Sequence, residues 1–238
     1  EDTSALALKR VPEGVDLKFC LEQIKSRQKS ERKLPRWAAV EGLLFPPALS
    51  MEQCSSQETA HYKQRLVERI LPPQERNAMV DLTAGFGVDF SYLAMLFKQA
   101  VYVEQQANLC EIAHHNMPLL GLGHAEIRCA RCEEYLLESG CADLIFMDPA
   151  RRDGAGRKTV LLEDCTPCVT TMLTDLLGRC RYLLLKLSPM LDIHAALKTL
   201  KNVCEVHVVS VDGECRELLL LLDATGCRQV SFHCVNLG

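Results

Sequence analysis

The chain of 238 residues contains no apolar run approaching the roughly 18–20 residues needed to cross a bilayer. Its opening residues Glu1, Asp2, Thr3 and Ser4 lack a basic stretch followed by an apolar core, so no secretory signal is expected. Internal repeats and low-complexity tracts are also missing, which argues against a solenoid or a disordered linker protein. These absences predict a cytoplasmic chain with no membrane partner. The length suits one α/β domain plus an accessory segment.

Cysteine, by contrast, is plentiful, with thirteen residues. Several, such as Cys110, Cys180 and Cys204, sit inside apolar runs, where a reduced thiol serves as a small hydrophobe. With no signal sequence expected, the set reads as free thiols in a reducing compartment. Two CxxC pairs, Cys129 with Cys132 and Cys165 with Cys168, have metal-ligand spacing. Neither has the glycine-rich setting of a zinc knuckle, so no metal centre is expected.

Residues 1–75 read as a helical segment. Asp16 is placed to cap a helix whose Leu17, Cys20, Leu21 and Ile24 share one face. Between Asp16 and Arg36, seven basic residues (Lys18, Lys25, Arg27, Lys29, Arg32, Lys33, Arg36) face three acidic ones, giving +4 against -8 for the remainder. Two readings fit this segment 16–36: a contact for the phosphates of RNA, or a solvated helix face. Trp37, near Pro35, Pro46 and Pro47, reads as a packing anchor. A second helix is expected from Ser55 or Ser56, with Ser55 and Glu58 at capping-box spacing, and it should end at Pro72 and Pro73.

From residue 76 to 225, short apolar strands alternate with helical stretches, which implies a parallel sheet. The expected strands are 79–82, 100–104, 125–129, 143–147, 181–187, 203–211 and 216–222. Only Asp212, Gly213 and Glu214 separate the last two, so the final strand should run antiparallel to the others. The expected fold class is therefore α/β, a Rossmann-like seven-stranded sheet with an N-terminal helical segment.

Four strand ends carry chemistry. The first runs through Asp81, Leu82, Thr83, Ala84, Gly85, Phe86, Gly87, Val88 and Asp89, where glycines would let a ligand approach the backbone. Glu104 ends the second strand, 17 residues beyond Gly87, where an acid can accept from both ribose hydroxyls. These two features fit an adenosine-containing cofactor of either the methionine or the nicotinamide type. The third, Asp148-Pro149-Ala150-Arg151-Arg152, separates them. It resembles the Asp/Asn-Pro-Pro-aromatic motif of methyltransferases acting on nucleic acids or planar nitrogen. A fourth strand end, Lys186-Leu187-Ser188-Pro189, is expected on the same cleft.

Order and spacing over residues 50–225 resemble the class I S-adenosylmethionine-dependent methyltransferases. The run Leu49–Ser56 with Thr59, Ala60, Tyr62 and Lys63 narrows the resemblance to a bacterial group whose core precedes a THUMP-like domain. This resemblance implies S-adenosylmethionine as cofactor and RNA as acceptor. It implies that Asp81, Thr83, Gly85, Gly87, Glu104, Asp148 and Pro149 hold the cofactor, with Glu133 or a backbone carbonyl as the adenine contact, and that Asp148, Arg151 and Lys186 serve the acceptor, unless Lys186 merely pairs with Asp148. It also makes residues 226–238 the start of a further domain. Thr83, Arg131 and Ala150 depart from the family pattern, leaving as the alternative an inactive module that binds the cofactor or RNA. Ser188 stands where related uracil-modifying enzymes place a nucleophilic cysteine.

Overall fold

The computed structural model describes residue 3 and residues 13–46, 48–151 and 161–238; of 48–50 and 151 only the backbone is described. Helix α1 (Leu17–Lys33) starts at Asp16, whose side chain accepts the Phe19 N–H at 3.0 Å. After the short α2 (Pro35–Ala38) and α3 (Ala48–Gln53) comes α4 (Gln57–Ile70). Its cap is Ser56, which accepts the Thr59 N–H, and not Ser55. Ser55 is turned instead toward buried charges described below.

The alternating core then follows: β1 (Ala78–Asp81), α5 (Val88–Ala94), β2 (Gln99–Glu104), α6 (Ala107–Leu119), β3 (Ala125–Cys129), α7 (Cys132–Glu138) and β4 (Ala142–Met147). A two-residue pairing joins β5 (Ala150–Arg151) to β6 (Cys165–Thr166). The chain continues through α8 (Val169–Leu177), β7 (Cys180–Leu187), α9 (Ile193–Thr199), β8 (Val203–Val211), β9 (Glu214–Asp223) and β10 (Ser231–Leu237).

The main sheet has eight strands in the order β10-β8-β9-β7-β4-β1-β2-β3, one more than the seven expected. As expected, β9 is antiparallel to both neighbours. Asp212 and Gly213 both have positive φ (50° and 77°), the backbone of a two-residue hairpin turn that follows the strand twist. The extra strand is β10, which pairs parallel with β8 at the sheet edge. It lies in the segment 226–238. Its partner is 26 residues away, and most of its residues are half-exposed or exposed, so its local sequence shows no clean apolar face.

Side chains fill both faces of the sheet. One core joins Met79, Tyr102, Phe146 and Leu184 to Trp37, Phe45 and Leu66 of the N-terminal segment. The other joins Val80, Ile145, Leu183 and Leu185 to α8 and α9. Strands covered on both faces read as continuous apolar runs, as Leu183–Leu185 does. Among the described residues no helix is long and apolar enough to cross a membrane.

Candidate functional site

The carboxyl ends of β1, β2, β4 and β7 open onto one cleft of about 700 Å³. That falls within the roughly 300–1,000 Å³ usual for small-molecule and cofactor sites. Asp81, Thr83, Gly85, Gly87, Glu104, Glu133, Asp148, Pro149 and Lys186 all line it. Arg151 is described only as backbone in β5, and Arg152 lies outside the described residues.

The loop after β1 is held by hydrogen bonds that its own sequence supplies. Asp81 Oδ1 accepts the Thr83 N–H at 3.0 Å, and Thr83 Oγ1 accepts the Asp148 N–H at 2.6 Å. The threonine standing where the family has a glycine thus ties the β1 loop to the end of β4. Glu104 accepts the Gly85 N–H at 3.0 Å on one oxygen and the Gln106 N–H at 2.9 Å on the other. Tyr102 donates its hydroxyl proton to the Gly85 carbonyl. Gly87 has φ 87°, and a Cβ there would lie 2.6 Å from Met117 Cε. A side chain there would hold a backbone conformation that L residues rarely adopt. Trp37 packs edge-on against Phe86 at 4.7 Å, so the N-terminal anchor supports the glycine loop.

The half of the cleft around β1 and β2 is rich in acceptors. Burial, reinforced by the charges of Asp89, Asp148 and Glu104, pushes the Asp81 carboxyl well above its usual range, against the Thr83 N–H. A ligand carrying positive charge would relieve that cost. At Gly85 a Cβ would meet nothing nearer than the Thr83 carbonyl at 3.9 Å, so the backbone faces open space. These features fit a cationic, ribose-bearing cofactor. Glu133, in the first turn of α7, lies on the same wall, with Arg131 Nε 3.5 Å from its carboxylate.

The other half is an ion network, of which the sequence suggested only the Asp148–Lys186 pair. Lys186 Nζ lies 2.5 Å from Asp148 Oδ2 and 3.6 Å from Asp89 Oδ2. Asp89 accepts from Ser55 Oγ at 2.6 Å and lies 3.1 Å from Lys63, which in turn donates to Glu217 at 2.5 Å. Burial opposes charge on both Lys186 and Asp89. For Lys186 the carboxylates of Asp148, Asp89 and Glu217 outweigh it and raise its pKa above the usual lysine value. For Asp89, Lys63 and Lys186 outweigh it and lower the pKa. The local sequence gives one signal for this network, the polar Lys63 and Glu217 sitting in otherwise apolar stripes.

The basic segment 16–36 is largely spoken for. Arg27 donates to the Ala38 carbonyl, Lys29 pairs with Glu52, and Lys33 donates to the Met51 and Glu52 carbonyls. Arg36 contacts Met95 and lies over the Tyr92 ring. Lys18, Lys25 and Arg32 remain exposed, and their spacing of seven puts them on one stripe of α1.

No protein-family model matches the chain, and no curated protein matches it. Among solved structures it resembles a Porphyromonas gingivalis W83 protein carrying a methyltransferase assignment, with 31% identity and a TM-score of 0.85. That match covers 100% of this chain but 59% of the other, so the chain spans about three-fifths of that protein's length. A Listeria monocytogenes protein assigned to the class I S-adenosylmethionine-dependent methyltransferases matches with a TM-score of 0.58 and 12% identity, covering 91% and 73%. The T. thermophilus 16S rRNA N2 G1207 methyltransferase, solved with AdoMet and guanosine, matches at 0.53 and 16%, covering 72% and 44%. With its strand order, its antiparallel β9 and its cleft at the strand ends, the chain has the α/β Rossmann-like fold of the class I S-adenosylmethionine-dependent methyltransferases.

Proposed function

We propose that the chain is an S-adenosylmethionine-dependent methyltransferase whose acceptor is RNA. The observation that carries this reading is the division of one cleft into two halves. One is an acceptor-rich half built on Asp81, Gly85 and Glu104; the other is centred on the Asp148–Lys186 pair.

The cofactor, when bound, supplies an electrophilic methyl group on a sulfonium. Glu104, with both oxygens already aligned by backbone N–H groups, accepts from the ribose hydroxyls. Asp81 offers its buried carboxylate to the cofactor's positive charge, and Glu133 faces the adenine side. Methyl transfer needs chiefly alignment and exclusion of water. Asp148, held by Lys186 and by its own N–H on Thr83, orients the acceptor atom through its outward oxygen. The strong pairing with Lys186 favours orientation over proton abstraction as its role.

RNA as acceptor is supported by the Asp148-Pro149-Ala150-Arg151 resemblance and by the exposed stripe of Lys18, Lys25 and Arg32. The T. thermophilus neighbour acts on 16S rRNA. A THUMP-like extension belongs to the same reading on the strength of the sequence resemblance alone.

The test has two arms. Calorimetric titration with S-adenosylhomocysteine, with NADH as control, should show saturable binding of the former alone. Methyl transfer to total RNA should then fall at least 100-fold in Asp148→Ala. No binding by folded protein sinks the cofactor assignment. Binding without transfer to total RNA or to a protein extract selects the inactive binding module, and transfer to protein alone sinks RNA as the acceptor.

A further inference from the structure

At the sheet edge opposite β3, strands β8 and β10 run parallel with His207 and His233 in register. Their imidazole rings stack, with centroids 4.6 Å apart and planes 10° from parallel. Glu205 lies two residues before His207, so its side chain leaves the same face of the sheet. Glu205 Oε2 is 2.9 Å from His207 Nε2 and 3.9 Å from His233 Nε2.

We propose that Glu205, His207 and His233 form a binding site for one divalent transition metal of the zinc class, separate from the cofactor cleft. One donor atom from each residue lies within 4.8 Å of the other two. Two ligands of a tetrahedral zinc with bonds of about 2.0 Å stand roughly 3.3 Å apart, and the observed 2.9 and 3.9 Å bracket that separation. Closure requires His233, 41% exposed, to rotate out of the stack, since the in-plane lone pairs of two parallel rings do not meet at one ion. Two imidazoles and one carboxylate suit zinc, cobalt or nickel; calcium and magnesium prefer sites made of oxygen donors alone.

The surroundings are arranged as metal sites need. The Tyr62 hydroxyl lies 2.7 Å from His207 Nδ1, which fixes the ring and leaves Nε2 facing Glu205. Arg69 holds Glu205 through both guanidinium nitrogens, one on each carboxylate oxygen, which fixes the orientation of the carboxylate. His207 is 2% exposed and His233 41%, so one side of the site is fixed in the core and the other is open to arriving metal and water. A metal bound there joins the outermost strand to its neighbour.

The experiment is a titration of the full chain with Co²⁺ under reducing conditions, followed by visible absorption. Thiolate ligation by any of the thirteen free cysteines would announce itself as an intense near-ultraviolet charge-transfer band. One equivalent of cobalt should instead give d–d bands of nitrogen and oxygen ligation, displaced by Zn²⁺. His233→Ala, at an accessible position, should weaken binding at least 100-fold with the thermal midpoint measured in parallel to show that the fold persists. Tyr62→Phe should weaken it by about 10–100-fold while keeping the same bands at saturation. Absence of saturable d–d bands, a spectrum dominated by thiolate charge transfer, or less than a tenfold loss in folded His233→Ala would overturn the proposal.

Discussion

Lys63, with no exposed surface, donates to Glu217 at 2.5 Å across 154 residues of chain. Its other carboxylate neighbour, Asp89 at 3.1 Å, opens the helix that follows the glycine loop. Removing one member of a buried ion pair leaves an uncompensated charge and costs about 3–5 kcal/mol. Lys63→Met should therefore lower the urea-measured stability by about that amount, and Lys63→Met with Glu217→Gln should recover part of it. A single variant as stable as the parent would show that the network relaxes to admit water.

The two aspartates of the loop should pull the pH dependence of stability in opposite directions. Asp89 is held below its usual value, so its contribution is complete above the unfolded value of about 3.9 and is lost as pH falls through the lower folded value. Asp81 is raised by burial, so the folded state loses stability as pH rises from about 3.9 toward its folded value. Asp81→Asn keeps the acceptor for the Thr83 N–H and removes that loss. Calorimetric melts from pH 3.5 to 8 should show the variant's stability rising more steeply toward neutral pH than the parent's, together with weaker S-adenosylhomocysteine binding. Parallel pH profiles would contradict the assignment.

Gly87→Ala should destabilise by about 1–3 kcal/mol from the left-handed backbone alone. Met117 Cε, the flexible end of a side chain, can retreat from the new methyl, but the φ of 87° cannot be relieved without moving the loop. Binding of S-adenosylhomocysteine, measured by calorimetry at a temperature where the variant is folded, should weaken at least tenfold. Gly213→Ala, in the hairpin turn, should cost stability without touching that binding.

For the exposed stripe of α1, the measurement is RNA affinity against salt. Replacing Lys18, Lys25 and Arg32 by Gln should reduce the slope of log K against log salt by about 2, at roughly 0.7 per phosphate contact with single strands. The same replacement at Arg27, whose donor is spent on the Ala38 carbonyl, should leave the slope unchanged while lowering stability. Equal slopes for parent and triple variant would remove α1 from the RNA reading.

What was legible in the sequence is what strand ends announce locally. Asp81, Glu104 and Asp148 each close an apolar run, and the fold brings all three onto one cleft. The Asp-Gly turn gave the antiparallel β9 because a two-residue connection admits no other pairing. Contacts between distant segments were not legible. Spacing favours Ser55, with Glu58 three residues on, over Ser56 as the cap, and only the buried Asp89 decides that Ser55 is taken elsewhere. Likewise the excess charge of 16–36 gave no sign that Arg27 and Lys33 would be consumed by carbonyls at the ends of α2 and α3. His207 and His233 lie 26 residues apart, and only the parallel register of β10 sets them face to face.

The place of β9 between β7 and β8 has a consequence for how the chain is made. The glycine loop and Glu104 leave the ribosome more than a hundred residues before Glu217, and β8 emerges with no sheet neighbour until β9 inserts beside it. A nascent chain halted at residue 213 thus carries the glycine loop and Asp89, but its Lys63 lacks Glu217 and its β7 edge is bare. Vectorial synthesis delivers the ligand-facing half first, and the last hairpin is the event that locks it.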